Sequence, residues 1–191
     1  MDKPLWTPGH CGRGDRPQNE VMPQTNGPWI GQAGPPDVEG ICAIYNAAIK
    51  ERRSTFETEL RSPDAFEGRI GNSRLPLLVA KLDPDMIGWA GLTSYSSRPC
   101  YAGIGECSIY VASKARRRGV GTALAETLAS AAEEVGFHKL IGKLFTDNIG
   151  SIRLVERCDF NSVGLHRRHG MLDGTWRDVL VVERLLDPAV S

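Results

Sequence analysis

The residues best suited to chemistry lie together between Arg116 and Thr122, in the order Arg-Arg-Arg-Gly-Val-Gly-Thr. They follow an apolar run that ends at Val111 and precede a series of apolar residues at helical spacing. The first amides of a helix have no partner inside the helix and carry the positive end of its dipole. Glycine lets a ligand come close to the backbone, and arginine matches the geometry of phosphate oxygens. This turn therefore predicts a phosphate-binding site, although the residues alone also fit a solvated basic turn.

Two other phosphate-binding patterns are absent from the sequence. No Gly-x-x-x-x-Gly-Lys-Ser/Thr occurs, and no Gly-x-Gly-x-x-Gly follows an early strand. The sequence therefore favours neither a Walker-type nucleotide site nor a dinucleotide site.

Composition narrows the class of protein. The 191 residues suit one domain, and 23 basic side chains balance 23 acidic ones, so no overall field favours nucleic acid or an anionic membrane. No apolar run is long enough to span a bilayer and the N-terminus has no signal-peptide pattern, so we expect a cytoplasmic protein. The five cysteines are odd in number and widely spaced, which argues against a disulfide framework or a zinc site.

Apolar periodicity predicts alternating strands and helices in one α/β domain over residues 29–187. Residues 1–28 are rich in glycine, proline and polar residues and predict a disordered extension. Helices are predicted after Asp37, which is placed as an N-cap, and from Pro63, Val120 and Ile149, with Gly136 ending the third. The predicted strands cover residues 29–33, 75–82, 86–95, 104–111, 140–145, 163–168 and 176–185.

Four motifs, in this order along the chain, resemble those of the GNAT family of N-acetyltransferases. Residues 106–111, Glu-Cys-Ser-Ile-Tyr-Val, resemble the Glu-x-Ser-x-Tyr-Val strand of its phosphinothricin and L-amino acid N-acetyltransferase branch. Residues 116–121 resemble the Arg-x-x-Gly-x-Gly loop that binds the acyl-CoA pyrophosphate. Residues 148–154 resemble the branch's Asn-x-x-Ser-x-Arg-Leu helix start, and residues 174–179 its Gly-x-Trp-x-Asp-Val ending. The match runs from about residue 29 to residue 186.

The resemblance implies a single domain in which helices flank a central mixed, mostly antiparallel sheet. It also implies an enzyme that takes acetyl-CoA as co-substrate and needs no metal. The acetyl group would pass directly, in a ternary complex, to the α-amino group of a small L-amino acid or of a toxin such as phosphinothricin or methionine sulfoximine. Such a reaction detoxifies the acceptor, and members of this branch are homodimers.

Glu106 is the candidate catalytic base. It occupies the position of the branch's catalytic glutamate, on the strand that enters the phosphate loop. Its sequence neighbours Gly105 and Cys107 carry no charge, which suits a base that takes a proton from the attacking amine. The alternative is a carboxylate at a strand edge, neutralised by Arg98.

The resemblance also assigns residues that hold acetyl-CoA. A splay in the strand frees main-chain groups of Ile109, Tyr110 and Val111 for the acetyl and pantetheine portions. Asn148 and Ser151 contact the pantetheine arm, although Asn148 also fits a helix N-cap. The pyrophosphate is held by the loop and the helix start that follows it, through Arg116, Arg117, Arg118, Gly119, Val120, Gly121 and Thr122.

Three residues are candidates for binding the acceptor. Arg98 and Tyr101 resemble the branch's Arg-x-x-Tyr, and arginine binds a carboxylate through two hydrogen bonds. Phe56 resembles the aromatic residue that lines the acceptor pocket, and it fits a core position equally well.

The sequence departs from the family pattern at three positions. Val155 stands where members carry Tyr or His as proton donor to the leaving thiol, so Tyr110, Cys158 or water would have to replace it. Asp173 stands in place of a histidine, and Ile104 in place of a threonine. Two alternatives therefore stay open: acetylation of another amine, such as a polyamine, an aminoglycoside or a protein N-terminus, and a non-catalytic acyl-CoA-binding module.

The late histidines and arginines predict neither a metal site nor a nucleic-acid surface. His166 and His169 are three residues apart in a predicted strand, which places them on opposite faces. Arg167, Arg168 and Arg177 lack the interleaved aromatics of a nucleic-acid surface, and they predict a solvated hairpin or a salt-bridged dimer contact.

Overall fold

The computed structural model describes residues 27–187, so the predicted disordered extension lies outside the described residues except for its last two positions. The strands are β1 (Trp29–Gln32), β2 (Leu77–Leu82), β3 (Asp85–Ser94), β4 (Ile104–Val111), β5 (Lys139–Phe145), β6 (Asn161–Leu172) and β7 (Thr175–Leu185). The helices are α1 (Val38–Glu51), α2 (Asp64–Glu67), α3 (Val120–Glu134) and α4 (Ile149–Arg157). Three single turns of 3₁₀ helix cover Pro35–Asp37, Pro99–Tyr101 and Ser113–Ala115.

The strands form one seven-stranded sheet in the order β1-β2-β3-β4-β5-β7-β6. β4 and β5 run parallel, whereas the other neighbouring pairs are antiparallel. The predicted mixed, mostly antiparallel sheet is confirmed.

Helices pack on both faces of this sheet. α3 presents an apolar stripe of Val120, Leu124, Leu128 and Ala132, at intervals of four residues, and buries it against one face. α1 and α2 cover the other face around Trp89, which is 1% exposed. Successive side chains of a strand point to opposite faces. Those of Cys107, Ile109 and Val111 accordingly pack against the core beneath α3, and Tyr110 packs on the opposite side.

The predicted helix ends are right in position, but one cap differs from the prediction. Gly136 follows α3 with φ of 86°, the left-handed conformation expected of a glycine that ends a helix. Asp37 precedes α1, yet its side chain makes no capping hydrogen bond. Its carboxylate instead accepts the Gly34 N–H at 2.9 Å and pairs with Lys81 at 2.6 Å, because Asp37 also closes a 3₁₀ turn packed beside β2. Asp37 therefore fixes the start of α1 to the sheet.

The prediction that His166 and His169 lie on opposite faces of a strand is wrong. The pairing of β6 with β7 slips between His166 and Gly170, and Arg168 has a left-handed φ of 48°. This irregularity breaks the alternation of side chains, and the two imidazole rings lie 4.8 Å apart. Within residues 27–187 no group of three metal-ligating side chains lies close enough to hold a metal ion. In the same part of the chain, no helix has the length and apolar character needed to cross a membrane.

Candidate active site

The site forms where β4 and β5 separate. Their parallel pairing covers only Ile104 to Glu106 on β4, opposite Lys139 to Ile141 on β5. Beyond Glu106, β4 continues beside β3 and β5 continues beside β7. The edges of β4 and β5 that face each other therefore have no strand partner beyond this point, and the splay that the resemblance implies is present.

A cavity of about 670 Å³ opens at this separation, between β4 and the first turns of α3 and α4. It brings together most of the residues predicted to hold acetyl-CoA: Ile109, Tyr110, Val111, Arg116, Arg117, Gly119, Gly121, Thr122, Asn148 and Ser151. Two predicted residues do not line it. Val120 is buried in the core at 3% exposure, and Arg118 is exposed away from the cavity wall.

The loop before α3 leaves the first amides of the helix open to the cavity. Gly119 is the N-cap residue, with φ of 81°, and it has no side chain to cap the helix. The hydrogen bond that opens the helix runs from the Ala123 N–H to the Gly119 carbonyl, at 3.0 Å. The free N–H groups and the helix dipole both favour an anion at this point.

The three consecutive arginines of the loop have different surroundings. Arg116 donates to the Val111 carbonyl at 3.1 Å and to both carboxylate oxygens of Glu51, at 3.0 and 2.8 Å. Arg116 therefore holds the loop against β4 and α1. Within residues 27–187, Arg117 has no such partner, so its guanidinium is free to bind a ligand anion.

Three further arginines line the cavity: Arg53 and Arg157, which the sequence reasoning missed, and Arg153, which it placed in the helix-start motif without giving it a role. In the described part of the chain none of their side chains forms an ion pair, so with Arg117 they give the cavity an excess of positive charge. Arg153 and Arg157 are four residues apart on α4 and therefore share one helix face, a spacing that the sequence contained.

Asn148 has the N-cap role that the sequence predicted. Its side-chain oxygen accepts the Ser151 N–H at 3.2 Å, and its side-chain nitrogen donates to the Arg53 carbonyl at 3.1 Å. The start of α4 is thereby tied to the segment that follows α1, which also lines the cavity.

Glu106 lies at the vertex of the separation, as the last residue of β4 that pairs with β5. Lys143 Nζ donates to its Oε2 at 2.7 Å, with both side chains about one-third exposed. The expected uncharged surroundings are therefore wrong, and the neutralising cation is Lys143 rather than Arg98. Glu106 pairs with Ile141 on β5. The side chain of Lys143, two residues further along β5, therefore points to the same face of the sheet as Glu106.

The three predicted acceptor-binding residues lie outside the cavity. Phe56 packs edge to face on Phe145, with ring centroids 4.7 Å apart, and lies against Gly170. Arg98 and Tyr101 belong to the exposed turn before β4, where Tyr101 packs edge to face on Tyr95. The structure therefore does not bring the three residues together.

Val155 and Asp173, two of the departures from the family pattern, both make defined contacts in the structure. Val155 is 8% exposed and lines a small cavity of about 40 Å³ beneath the diverging strands, together with Cys107 and Cys158. Asp173 pairs with Arg52 at 3.1 Å, which holds the β6–β7 turn against the end of α1.

The two candidate donors to the leaving thiol are both protonated at neutral pH. Burial raises the pKa of the Cys158 thiol to about 11. Burial also raises the pKa of Tyr110, whose ring stacks on Trp89 at 4.8 Å and meets Tyr45 edge to face at 5.0 Å.

Comparison with known proteins gives a consistent result. Residues 41–160 match the model of the acetyltransferase (GNAT) family. The chain is 30% identical over 156 residues to the phosphinothricin N-acetyltransferase of Streptomyces coelicolor, with 78% of this chain and 91% of the relative covered. It is 28% identical over 166 residues to the L-methionine sulfoximine/L-methionine sulfone acetyltransferase of Pseudomonas aeruginosa, with 85% and 96% covered.

A solved structure has the same fold. The GNAT superfamily phosphinothricin acetyltransferase from Sinorhizobium meliloti, in complex with acetyl-CoA, superposes with a TM-score of 0.78 at 27% identity. The alignment covers 83% of this chain and 88% of that one.

The cysteines beneath the separation of β4 and β5 should resist alkylation in the folded protein. Burial raises the pKa of the Cys107 thiol to about 12 and that of Cys158 to about 11, so little reactive thiolate exists at pH 8. We expect iodoacetamide to modify both at least ~100-fold more slowly than the exposed Cys100, as followed by peptide mass spectrometry. Their labelling should accelerate as the pH rises towards 11, because the thiolate fraction increases. Equal labelling of all three cysteines at pH 8 would contradict this assignment.

Proposed function

This chain belongs to the acetyltransferase (GNAT) family and is an N-acetyltransferase that uses acetyl-CoA, and we propose that it acetylates the α-amino group of a small L-amino acid or amino-acid-like toxin. The relatives named for phosphinothricin and for methionine sulfoximine support this acceptor class. The observation that carries the proposal is the position of Glu106, at the vertex of the separated strands. Glu106 does not itself line the cationic cavity, but it lies on the strand whose Ile109, Tyr110 and Val111 do. Acetylation removes the charge of the acceptor's amine, which supports a detoxifying role.

The cavity suits acetyl-CoA in charge. We propose that the open amides of α3 and the Arg117 side chain bind the pyrophosphate. Arg53, Arg153 and Arg157 supply positive charge for the remaining phosphate. The unpaired edge of β4, from Ile109 to Val111, offers main-chain groups to the pantetheine arm and to the thioester carbonyl, and Asn148 and Ser151 face the same cavity. Acetyl-CoA supplies an acetyl group that is already activated as a thioester.

We propose that Glu106 takes the proton that the acceptor's amine must lose before it attacks, directly or through one water. The Lys143 ammonium fixes the Glu106 carboxylate at the vertex through a hydrogen bond of 2.7 Å. A main-chain N–H of β4 then stabilises the negative charge that develops on the thioester oxygen. Donor and acceptor approach from the two sides of the separated strands, which supports direct transfer in a ternary complex. The leaving thiolate receives its proton from Tyr110, Cys158 or water.

We also propose a cytoplasmic homodimer. The long β6–β7 hairpin exposes five large apolar side chains, Val163, Leu165, Met171, Trp176 and Leu185, at 44–69% exposure. Exposed apolar side chains concentrated on one hairpin favour an interaction surface, and a second copy of the hairpin suits them. The four cysteines within residues 27–187 are free, which supports a reducing compartment.

The acceptor and the base can be tested together. Wild-type enzyme with acetyl-CoA and a panel of L-amino acids, including phosphinothricin, methionine sulfoximine and methionine sulfone, should release thiol with at least one of them. Glu106→Gln should lower kcat on the order of 100-fold, because the amide cannot accept the proton. Glu183→Gln is a matched control, since Glu183 pairs with Lys139 at the same 2.7 Å but lies on β7, with β5 between it and Glu106. Activity unchanged in Glu106→Gln would refute the base, and the absence of any acetylated amino acid would refute the acceptor class.

Arg117 and Arg118 give a neighbouring pair of variants for the cofactor site. Arg117→Gln should weaken acetyl-CoA binding about 10-fold or more, because a hydrogen-bonded charge is lost from the cavity. Arg118→Gln should change the dissociation constant less than about 2-fold, since Arg118 does not line the cavity. Isothermal titration calorimetry measures both values, and equal effects of the two changes would contradict the assignment.

The dimer can be tested on the hairpin. Met171 and Trp176 lie opposite each other across β6 and β7 and are both 53% exposed. Light scattering should give a dimer for the wild type and a monomer for the double variant Met171→Glu, Trp176→Glu, because charges placed in an apolar contact are costly to desolvate. Leu60→Glu, an equally exposed apolar position outside the hairpin, should leave the dimer intact. A wild-type monomer would refute the proposal.

A further inference from the structure

Arg69 lies on the face of the sheet that carries Glu106. Arg69 follows α2, and its side chain extends over β3. One terminal nitrogen of the guanidinium lies only 2.6 Å from the position that a Cβ atom at Gly91 would occupy. The guanidinium also lies 5.6 Å from the centre of the Trp89 ring. The lack of a side chain at Gly91 makes the space that this guanidinium occupies.

The guanidinium of Arg69 lacks a matching anion. Within residues 27–187 it forms no ion pair, and its side chain makes one polar contact, at 3.4 Å to the Leu92 carbonyl. A guanidinium carries five N–H donors, so most of them have no protein acceptor. Burial lowers the pKa of Arg69, because partial removal from water disfavours the charged form.

The other half-buried arginines within residues 27–187 each pair with a carboxylate of this chain. Arg184 binds the Glu126 carboxylate through two hydrogen bonds of 3.0 Å, and Arg177 donates to Asp147 at 2.7 Å. Arg52 pairs with Asp173. The contrast suggests that the partner of Arg69 is not part of this chain.

The position of Arg69 relative to Glu106 suits an amino acid. Gly91 pairs with Ser108, and Glu106 lies two residues before Ser108 on β4, with both side chains on one face. Gly91 and Glu106 are thus two residues along the strand direction and one strand across, which separates their Cα positions by about 8 to 9 Å. The amine and carboxylate of an α-amino acid, with a hydrogen bond of about 3 Å at each end, bridge such a gap. Thr93, which pairs with Glu106, is exposed, so this surface is accessible.

We propose that Arg69 binds the α-carboxylate of the acceptor amino acid while Glu106 faces its amine. The inference rests on the proposed function and makes Arg69 a specificity residue of that site. A two-pronged bond to a planar carboxylate also orients the acceptor, because both oxygens must meet the guanidinium fork. Arg98, which lies on an exposed turn, is the competing assignment.

The test compares each amino acid that the enzyme acetylates with its decarboxylated amine. For L-methionine sulfone this amine is 3-(methylsulfonyl)propylamine. In Arg69→Met, the ratio of kcat/KM for the amino acid to kcat/KM for the amine should fall on the order of 10- to 100-fold. Arg69→Lys should lose most of the same selectivity, because an ammonium cannot form the fork. Titration of L-methionine sulfone into CoA-saturated protein should show the matching loss of affinity without requiring turnover.

The possible outcomes separate the two proposals. A structural role for Arg69 would lower both kcat/KM values by the same factor and leave the ratio unchanged, which would overturn this inference alone. Loss of the ratio in Arg98→Met, but not in Arg69→Met, would also overturn it. Wild-type enzyme that neither binds nor acetylates any amino acid would overturn this inference and the proposed function together. Thermal unfolding should show that Arg69→Met is folded, because the change breaks no ion pair and the methionine side chain can pack on the Trp89 ring in place of the guanidinium.

Discussion

The short pairing between β4 and β5 is the constraint on which the rest of the site depends. Each strand is held along its outer edge, β4 by β3 and β5 by β7, so the sheet stays continuous while its centre opens. A fully paired sheet would satisfy the same main-chain groups internally and leave none for a ligand. Apolar side chains of Ile109, Leu144 and Leu154 close the underside of the opening, where they pack on the core beneath α3.

The opening also sorts the chemistry by side. Arg117 before α3, and Arg153 and Arg157 on α4, line the cavity, whereas the side chains of Glu106 and Ser108 point to the opposite face of the sheet because a strand alternates its side chains. In the proposed arrangement, this strand offers its main chain to acetyl-CoA and its side chains to the acceptor.

Local sequence patterns predicted most of this structure, because the elements that build the site are contiguous. The strand from Ile104 to Val111 and the helix from Val120 follow from periodicity, and the Asn148 N-cap follows from residue type. Partners that are distant in sequence did not follow. Lys143 reaches Glu106 across 37 residues and Glu51 reaches Arg116 across 65, and both contacts depend on strand register and helix placement.

The contact between His166 and His169 and the position of Arg69 could not be predicted from apolar periodicity either, because both depend on the three-dimensional arrangement of strands. An irregularity in the pairing of β6 with β7 brings His166 and His169 together, and alternation cannot show where a strand slips. Arg69 resembles any surface arginine in the sequence. Its position becomes informative only when Gly91 is seen beneath it.

The end of α1 joins parts of the molecule that otherwise do not meet. Glu51 holds the phosphate loop through Arg116, and the next residue, Arg52, holds the β6–β7 turn through Asp173. Arg52 also donates to the carbonyls of Glu57 and Thr58, at 3.1 and 3.3 Å. A single peptide bond thus separates the anchor of the donor cavity from the anchor of the hairpin. A substitution that shifts the last turn of α1 would therefore disturb the loop before α3 and the β6–β7 turn together.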